Sequence, residues 1–138
     1  MKKKLLVVLI LNILTIGLFA TFVLSADVPM ITKEELKAML GNPDLVIFDV
    51  RLSSDYFSSD LKIKGAVRPL GECIAPAAFQ YPKGKTFVFY CSSPNEVRSV
   101  SNLKHLIEDH RTDGYTNVYV LKGGWEEWLK ANYPTEKK

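Results

Sequence analysis

Leu5 to Leu24 form one long apolar stretch, interrupted only by Asn12, Thr15, Gly17 and Thr21, and after residue 26 the pattern changes to short apolar blocks separated by polar and turn-forming residues. Thr32 and Glu35 have the spacing of a capping box and predict a helix over Glu34 to Leu40, with Leu36, Met39 and Leu40 on its apolar side. Gly41-Asn42-Pro43 ends it. Leu45-Val46-Ile47-Phe48 is continuously apolar, as expected of a strand covered on both faces, and runs into Asp49-Val50-Arg51. A short helix around Ser54 to Phe57 and a short strand at Gly65-Ala66-Val67 follow, whereas Cys73 to Phe79 has too little periodicity for an assignment. Thr86 to Tyr90 is a second apolar strand. Beyond it, Val97, Val100, Leu103, Leu106 and Ile107 recur at helical spacing. Asn117 to Leu121 is the last predicted strand, Gly123-Gly124 a turn and Trp125 to Leu129 a closing helix, while Lys137-Lys138 reads as a solvated end. Strands alternating with helices predict an α/β domain, a mainly parallel sheet with helices on both faces.

Two segments divide the chain. Residues 1–26 have the form of an export signal, with Lys2, Lys3 and Lys4 holding the N-terminus on the cytoplasmic side of a membrane. At about 1.5 Å per residue the apolar run is just long enough to cross a bilayer core of roughly 30 Å. Ser25 and Ala26 also offer a cleavage point, so a removed signal peptide and a retained anchor both fit. No cysteine stands at the boundary to carry a lipid anchor. Residues 27–138 are then an extracytoplasmic domain, periplasmic or on the outer face of the cytoplasmic membrane, touching the membrane only through the uncleaved segment. The three lysines account for the whole formal charge of +3, and the exported part carries basic and acidic residues in equal number. Such a balance gives no electrostatic footprint for nucleic acid.

Cys91 is the residue with the most chemistry. It stands between the end of an apolar strand and Ser92-Ser93-Pro94-Asn95-Glu96, which reads as a helix entry. Backbone N–H groups and the positive end of a helix dipole are expected to favour a thiolate there, which makes the sulfur a nucleophile. In a parallel α/β fold the ligand site lies at the carboxyl ends of the strands, which is where this cysteine falls.

The exported part resembles the single-domain rhodaneses. The resemblance rests on Val46-Ile47-Phe48-Asp49-Val50-Arg51, Asp55-Tyr56, Ile63-Lys64-Gly65-Ala66, Phe89-Tyr90-Cys91 and Leu121-Lys122-Gly123-Gly124-Trp125 with Trp128, in that order. It implies a rhodanese-like domain with a mainly parallel five-stranded sheet, preceded here by the N-terminal hydrophobic helix. It also implies sulfur transfer in two steps. Cys91 takes a sulfane sulfur from a small donor anion such as thiosulfate or polysulfide, holds it as a persulfide, and passes it to a thiol or cyanide. Ser92, Ser93, Pro94, Asn95, Glu96, Val97 and Arg98 would form the substrate loop, with Arg51 at its rim. No cofactor or metal is required.

The loop departs from the family pattern, in which a glycine lies three residues after the cysteine and an arginine five. Those positions are Pro94 and Glu96 here, and the nearest arginine is Arg98. A carboxylate at the fifth position repels an anionic donor, which counts against thiosulfate. Glu96 also fits a capping box with Ser93 at the N-cap and Pro94 at the first helical position. Alternatively, Asn95 is the cap and Arg98 turns toward the pocket. Arg98 lies one residue too far for the spacing of the phosphatases and arsenate reductases that share this fold. A non-catalytic binding module is the competing reading.

The remaining candidates have structural readings. Cys73 is a small buried residue, a bridge to Cys91 or a reversible redox cap. Asp49 is expected to fix its own loop through local hydrogen bonds, and Arg51 either binds an anion or forms a surface ion pair. His105 and His110 are five apart, poor geometry for a shared metal. Trp125 and Trp128 are expected to pack the last helix on the sheet. A thioredoxin-type dithiol is not expected, because Cys91 has no second cysteine two residues on.

Overall fold

A computed structural model describes residues 28–70, 75–92, 99–101, 104 and 115–138. The N-terminal apolar run, Cys73, the loop 93–98, His105 and His110 lie outside the described residues, and so do the expectations that rest on them. Among the described residues no helix is long and apolar enough to cross a membrane.

The chain enters at β1 (Met30–Ile31) and passes at once into α1 (Lys33–Met39). The capping box expected at its start is present: Thr32 Oγ1 accepts from the Glu35 N–H at 3.2 Å, and Glu35 Oε2 accepts from the Thr32 N–H at 2.9 Å. β2 (Leu45–Asp49), α2 (Ser53–Phe57) and β3 (Leu61–Ile63) follow, then α3 (Ala75–Ala78) and β4 (Thr86–Tyr90). After helical residues at 99–101 come β5 (Val118–Leu121), α4 (Gly124–Lys130) and β6 (Thr135–Lys137).

β1, β5, β4 and β2 lie side by side in that order, every neighbouring pair parallel. Both faces of this sheet are covered, which is why β2 and β4 read as unbroken apolar runs. Side chains alternate between the faces. Val46, Phe48, Val50, Phe87, Phe89 and Cys91 pack on one, with Ala78 of α3 and the half-buried Val100. Ile47, Val88, Tyr90 and Leu121 pack on the other, with Leu36 of α1 and Trp125 and Trp128 of α4. The two tryptophans thus seat the last helix as expected.

The five-stranded expectation needs correction. Among the described residues the sheet has four strands, and Gly65-Ala66-Val67 contributes a single bridge, Val67 to Phe48. Val67 makes both hydrogen bonds of a parallel ladder, donating to the Ile47 carbonyl at 2.8 Å and accepting from the Asp49 N–H at 2.9 Å. The next rung would need an N–H from residue 69, which is proline. Arg68 supplies the missing donor with its side chain, Nη1 lying 3.3 Å from the Asp49 carbonyl and 2.6 Å from that of Arg51.

Lys137 and Lys138 are exposed, as expected of a solvated end, and the structure adds a strand there. Thr135–Lys137 is a strand, pairing antiparallel with β3 as a separate two-stranded ribbon. Glu136 holds it there, accepting from the Gly65 N–H at 3.1 Å and facing Lys62 at 3.2 Å. These contacts keep its carboxyl below the ordinary glutamate range. The ribbon has one exposed side, so its sequence carries no apolar block.

Candidate active site

Cys91 leaves the carboxyl end of β4, a central strand, and is buried, with 5% of the residue exposed. Its backbone is fixed from α4. The Trp125 N–H donates to the Cys91 carbonyl at 2.8 Å and the Glu126 N–H to the Ser92 carbonyl at 3.3 Å. These N–H groups at the start of a helix have no partner within it, and the residues after β4 satisfy them. A planar trans peptide points its N–H opposite its C=O, so the Ser92 N–H is turned away from α4. Ser92 is tied a second time, its Oγ donating to Asp55 Oδ2 at 2.6 Å. Asp55 sits in the first turn of α2, the short helix that follows β2.

Gly123-Gly124 makes the α4 contact reachable. Gly123 has φ +80, and a Cβ there would lie 2.5 Å from Glu127 Cγ. Gly123→Ala is therefore expected to cost about 1–2 kcal/mol from the left-handed backbone alone. Thermal unfolding checks this.

Beneath Cys91, on the opposite face, lies a buried polar network. Asp49 accepts from Arg51 Nε at 2.9 Å, from Arg51 Nη2 at 2.6 Å and from the Tyr90 hydroxyl at 2.6 Å. Arg51 Nη2 also reaches the Leu61 carbonyl at 3.0 Å. The guanidinium carbon stands 4.4 Å from the Trp125 ring centroid. Burial lowers the pKa of Arg51, but the hydrogen bond to Asp49 and nearby negative charge outweigh it, and the net shift is upward. Burial, reinforced by Asp49, pushes the Tyr90 phenol far above its ordinary value, so it stays a donor.

Arg51 accordingly stands elsewhere than expected. It is neither at a rim nor in a surface pair: its side chain is wholly buried and paired with Asp49 on the face away from Cys91. Parity explains this, since Asp49, Arg51 and Tyr90 share one face while Val50 and Cys91 share the other. Asp49 fixes its loop as expected, also accepting from the Arg51 N–H at 3.2 Å. Of the other expected site residues, Ser92 is in place beside Cys91, while Ser93, Pro94, Asn95, Glu96, Val97 and Arg98 lie outside the described residues. Sequence reasoning assigned no role to Asp55, although a carboxylate in the first turn of a helix leaving a strand's carboxyl end is a usable signal. Tyr90 and Arg68 were also passed over.

The pieces of sequence that carried the resemblance therefore converge in space: Asp49-Val50-Arg51 below, Asp55 on one side, Gly123-Gly124-Trp125 on the other, and Cys91 between. The family model described as rhodanese-like domain matches residues 32–131.

The chain belongs to the rhodanese-like domain family.

Among curated relatives it is 26% identical over 113 residues to a rhodanese domain-containing protein of Drosophila melanogaster, covering 73% of this chain and 96% of that one. Among solved structures it is similar to the rhodanese-like domain of an Anabaena protein, at 30% identity and a TM-score of 0.60 over 80% of each chain. A thiosulfate sulfurtransferase from Pseudomonas aeruginosa shares the fold at 24% identity and a TM-score of 0.61, covering 80% of this chain and 19% of that one.

Proposed function

We propose that this rhodanese-like domain is an exported sulfurtransferase that carries sulfane sulfur as a persulfide on Cys91. The donor is a small sulfane compound, thiosulfate or polysulfide in the family's usual chemistry, and the acceptor a thiol or cyanide. The observation that carries the reading is the double anchoring of Cys91 and Ser92 at the carboxyl end of β4, by the first N–H groups of α4 and by Asp55.

A thiol reacts as its thiolate. The Cys91 sulfur attacks the outer sulfur of the donor, the donor's own sulfur–sulfur bond breaks, and the sulfane sulfur stays on Cys91. An acceptor then attacks that outer sulfur and restores the thiolate. The attacking sulfur carries negative charge as it reacts, and the Ser92 N–H, turned from α4, suits it. Because the backbone is held from two sides, the sulfur stays in place between the two half-reactions. Export follows from the lysines and apolar run at residues 1–26, with the enzyme periplasmic or tethered to the outer face of the membrane.

Intact mass measurement of the reduced protein after exposure to a sulfane donor tests this, beside Cys91→Ser. The expected result is a gain of one sulfur atom that cyanide or a thiol removes and that Cys91→Ser lacks. No adduct in folded protein with a reduced Cys91 would leave the domain as a binding module.

A further inference from the structure

The atoms beside Cys91 suit a sulfur donor that brings a proton rather than a second negative charge. Ser92 Oγ lies 2.6 Å from Asp55 Oδ2. An ionised carboxylate offers only lone pairs, so the hydrogen in that bond is the serine's. Ser92 has therefore spent its one O–H and presents acceptor lone pairs, backed by a carboxylate, at the residue next to the reactive sulfur.

Neither described arginine offers an offsetting charge here. Arg51 is wholly buried on the far face of the sheet, its fork on Asp49. Arg68 has Nη1 on the carbonyls of Asp49 and Arg51, and its guanidinium carbon stands 4.4 Å from the Tyr56 ring centroid.

Thiosulfate brings two negative charges to this place. An organic hydropersulfide, R–S–SH, brings none in its protonated form, and that is the form whose outer sulfur is electrophilic. We infer, resting on the sulfurtransferase reading above, that Cys91 takes its sulfur from organic hydropersulfides in preference to thiosulfate, and that the Asp55–Ser92 pair sets the preference. The Cys91 thiolate attacks the outer sulfur. The bond between the two donor sulfurs breaks, its electron pair leaves on R–S⁻, and the hydrogen stays on the transferred sulfur to give Cys91–S–SH. Nothing is oxidised or reduced overall. Ser92 Oγ accepts the S–H hydrogen bond and aims the outer sulfur at Cys91, while the Asp55 charge opposes a sulfonate.

The test compares the rate of sulfur gain on Cys91 of the full chain with cysteine hydropersulfide and with thiosulfate at equal concentration, for wild type, Asp55→Asn and Ser92→Ala. Wild type is expected to load from the hydropersulfide at least about tenfold faster, the size of one unfavourable charge at this range. Asp55→Asn keeps an acceptor for Ser92 but loses the charge, so the ratio of hydropersulfide to thiosulfate loading should fall about tenfold. Ser92→Ala should slow the hydropersulfide more than thiosulfate, lowering the same ratio. Circular dichroism establishes that each variant is folded, and Ser92→Ala decides if Asp55→Asn is not. Equal or faster loading from thiosulfate in wild type overturns the inference. So do variants that change both donors by one common factor, the signature of a merely structural pair. Failure of both donors to load a Cys91 that iodoacetamide still alkylates overturns the sulfurtransferase reading itself, and the inference with it.

Discussion

Asp49→Ala is expected to lower the stability of the domain by about 3–5 kcal/mol, the usual cost of removing one partner of a buried ion pair. Arg51 would keep a full charge with no carboxylate beneath it, in a site with 0% side-chain exposure for both partners. Its Nη1 is already buried without a hydrogen-bond partner, so the guanidinium has no spare contact to fall back on. The Tyr90 hydroxyl would lose its acceptor as well. The penalty lies in the stranded charge, so Asp49→Ala combined with Arg51→Ala should cost clearly less than the sum of the two single changes. Urea unfolding followed by tryptophan fluorescence measures all three. Additive losses would mean that Asp49 and Arg51 do not stabilise one another.

This network shows where sequence reasoning reached and where it stopped. Asp49 and Arg51 are two residues apart on a strand, which puts them on one face, and an acid and a base so placed are a readable pair. Their depth was not readable, because Arg51 lies past the apolar run and its cover comes from Tyr56 of α2 and from Tyr90 and Trp125, the last two distant in sequence. The position of Cys91 was legible because strands buried on both faces leave unbroken apolar runs, and Thr86 to Tyr90 is one. β1 was not, since Met30–Ile31 is two residues long and its register is fixed by Val120 and Leu121, some ninety positions away. β6 was hidden for a different reason: Thr135, Glu136 and Lys137 are held by a ladder and an ion pair at the surface, neither of which leaves a hydrophobic signature. The contact from Asp55 to Ser92 joins the first turn of α2 to the residue after Cys91, so only the fold brings it into view.

The same dependence on distant cover makes α4 the second sensitive point. Trp128→Ala is expected to destabilise by about 3–5 kcal/mol, the range for emptying a large aromatic site in a core. Trp128 is fully buried on the face it shares with Leu36, Ile63 and Leu121, and its Nε1–H donates to the Pro134 carbonyl at 3.0 Å. Its ring also meets Tyr133 edge-on, with centroids 5.2 Å apart. Truncation would open a cavity and loosen the approach to β6 at the same time. The effect should then extend to chemistry. α4 presents the Trp125 and Glu126 N–H groups to the carbonyls of Cys91 and Ser92, and a helix that no longer seats firmly cannot hold them. At a temperature where the variant is still folded, the rate of sulfur loading on Cys91 should fall with either donor by a common factor, since Asp55 and Ser92 are untouched. That common factor separates α4, which positions the sulfur, from the Asp55–Ser92 pair, which discriminates between donors. Loading at the wild-type rate in a folded Trp128→Ala protein would show that the cysteine is held without α4.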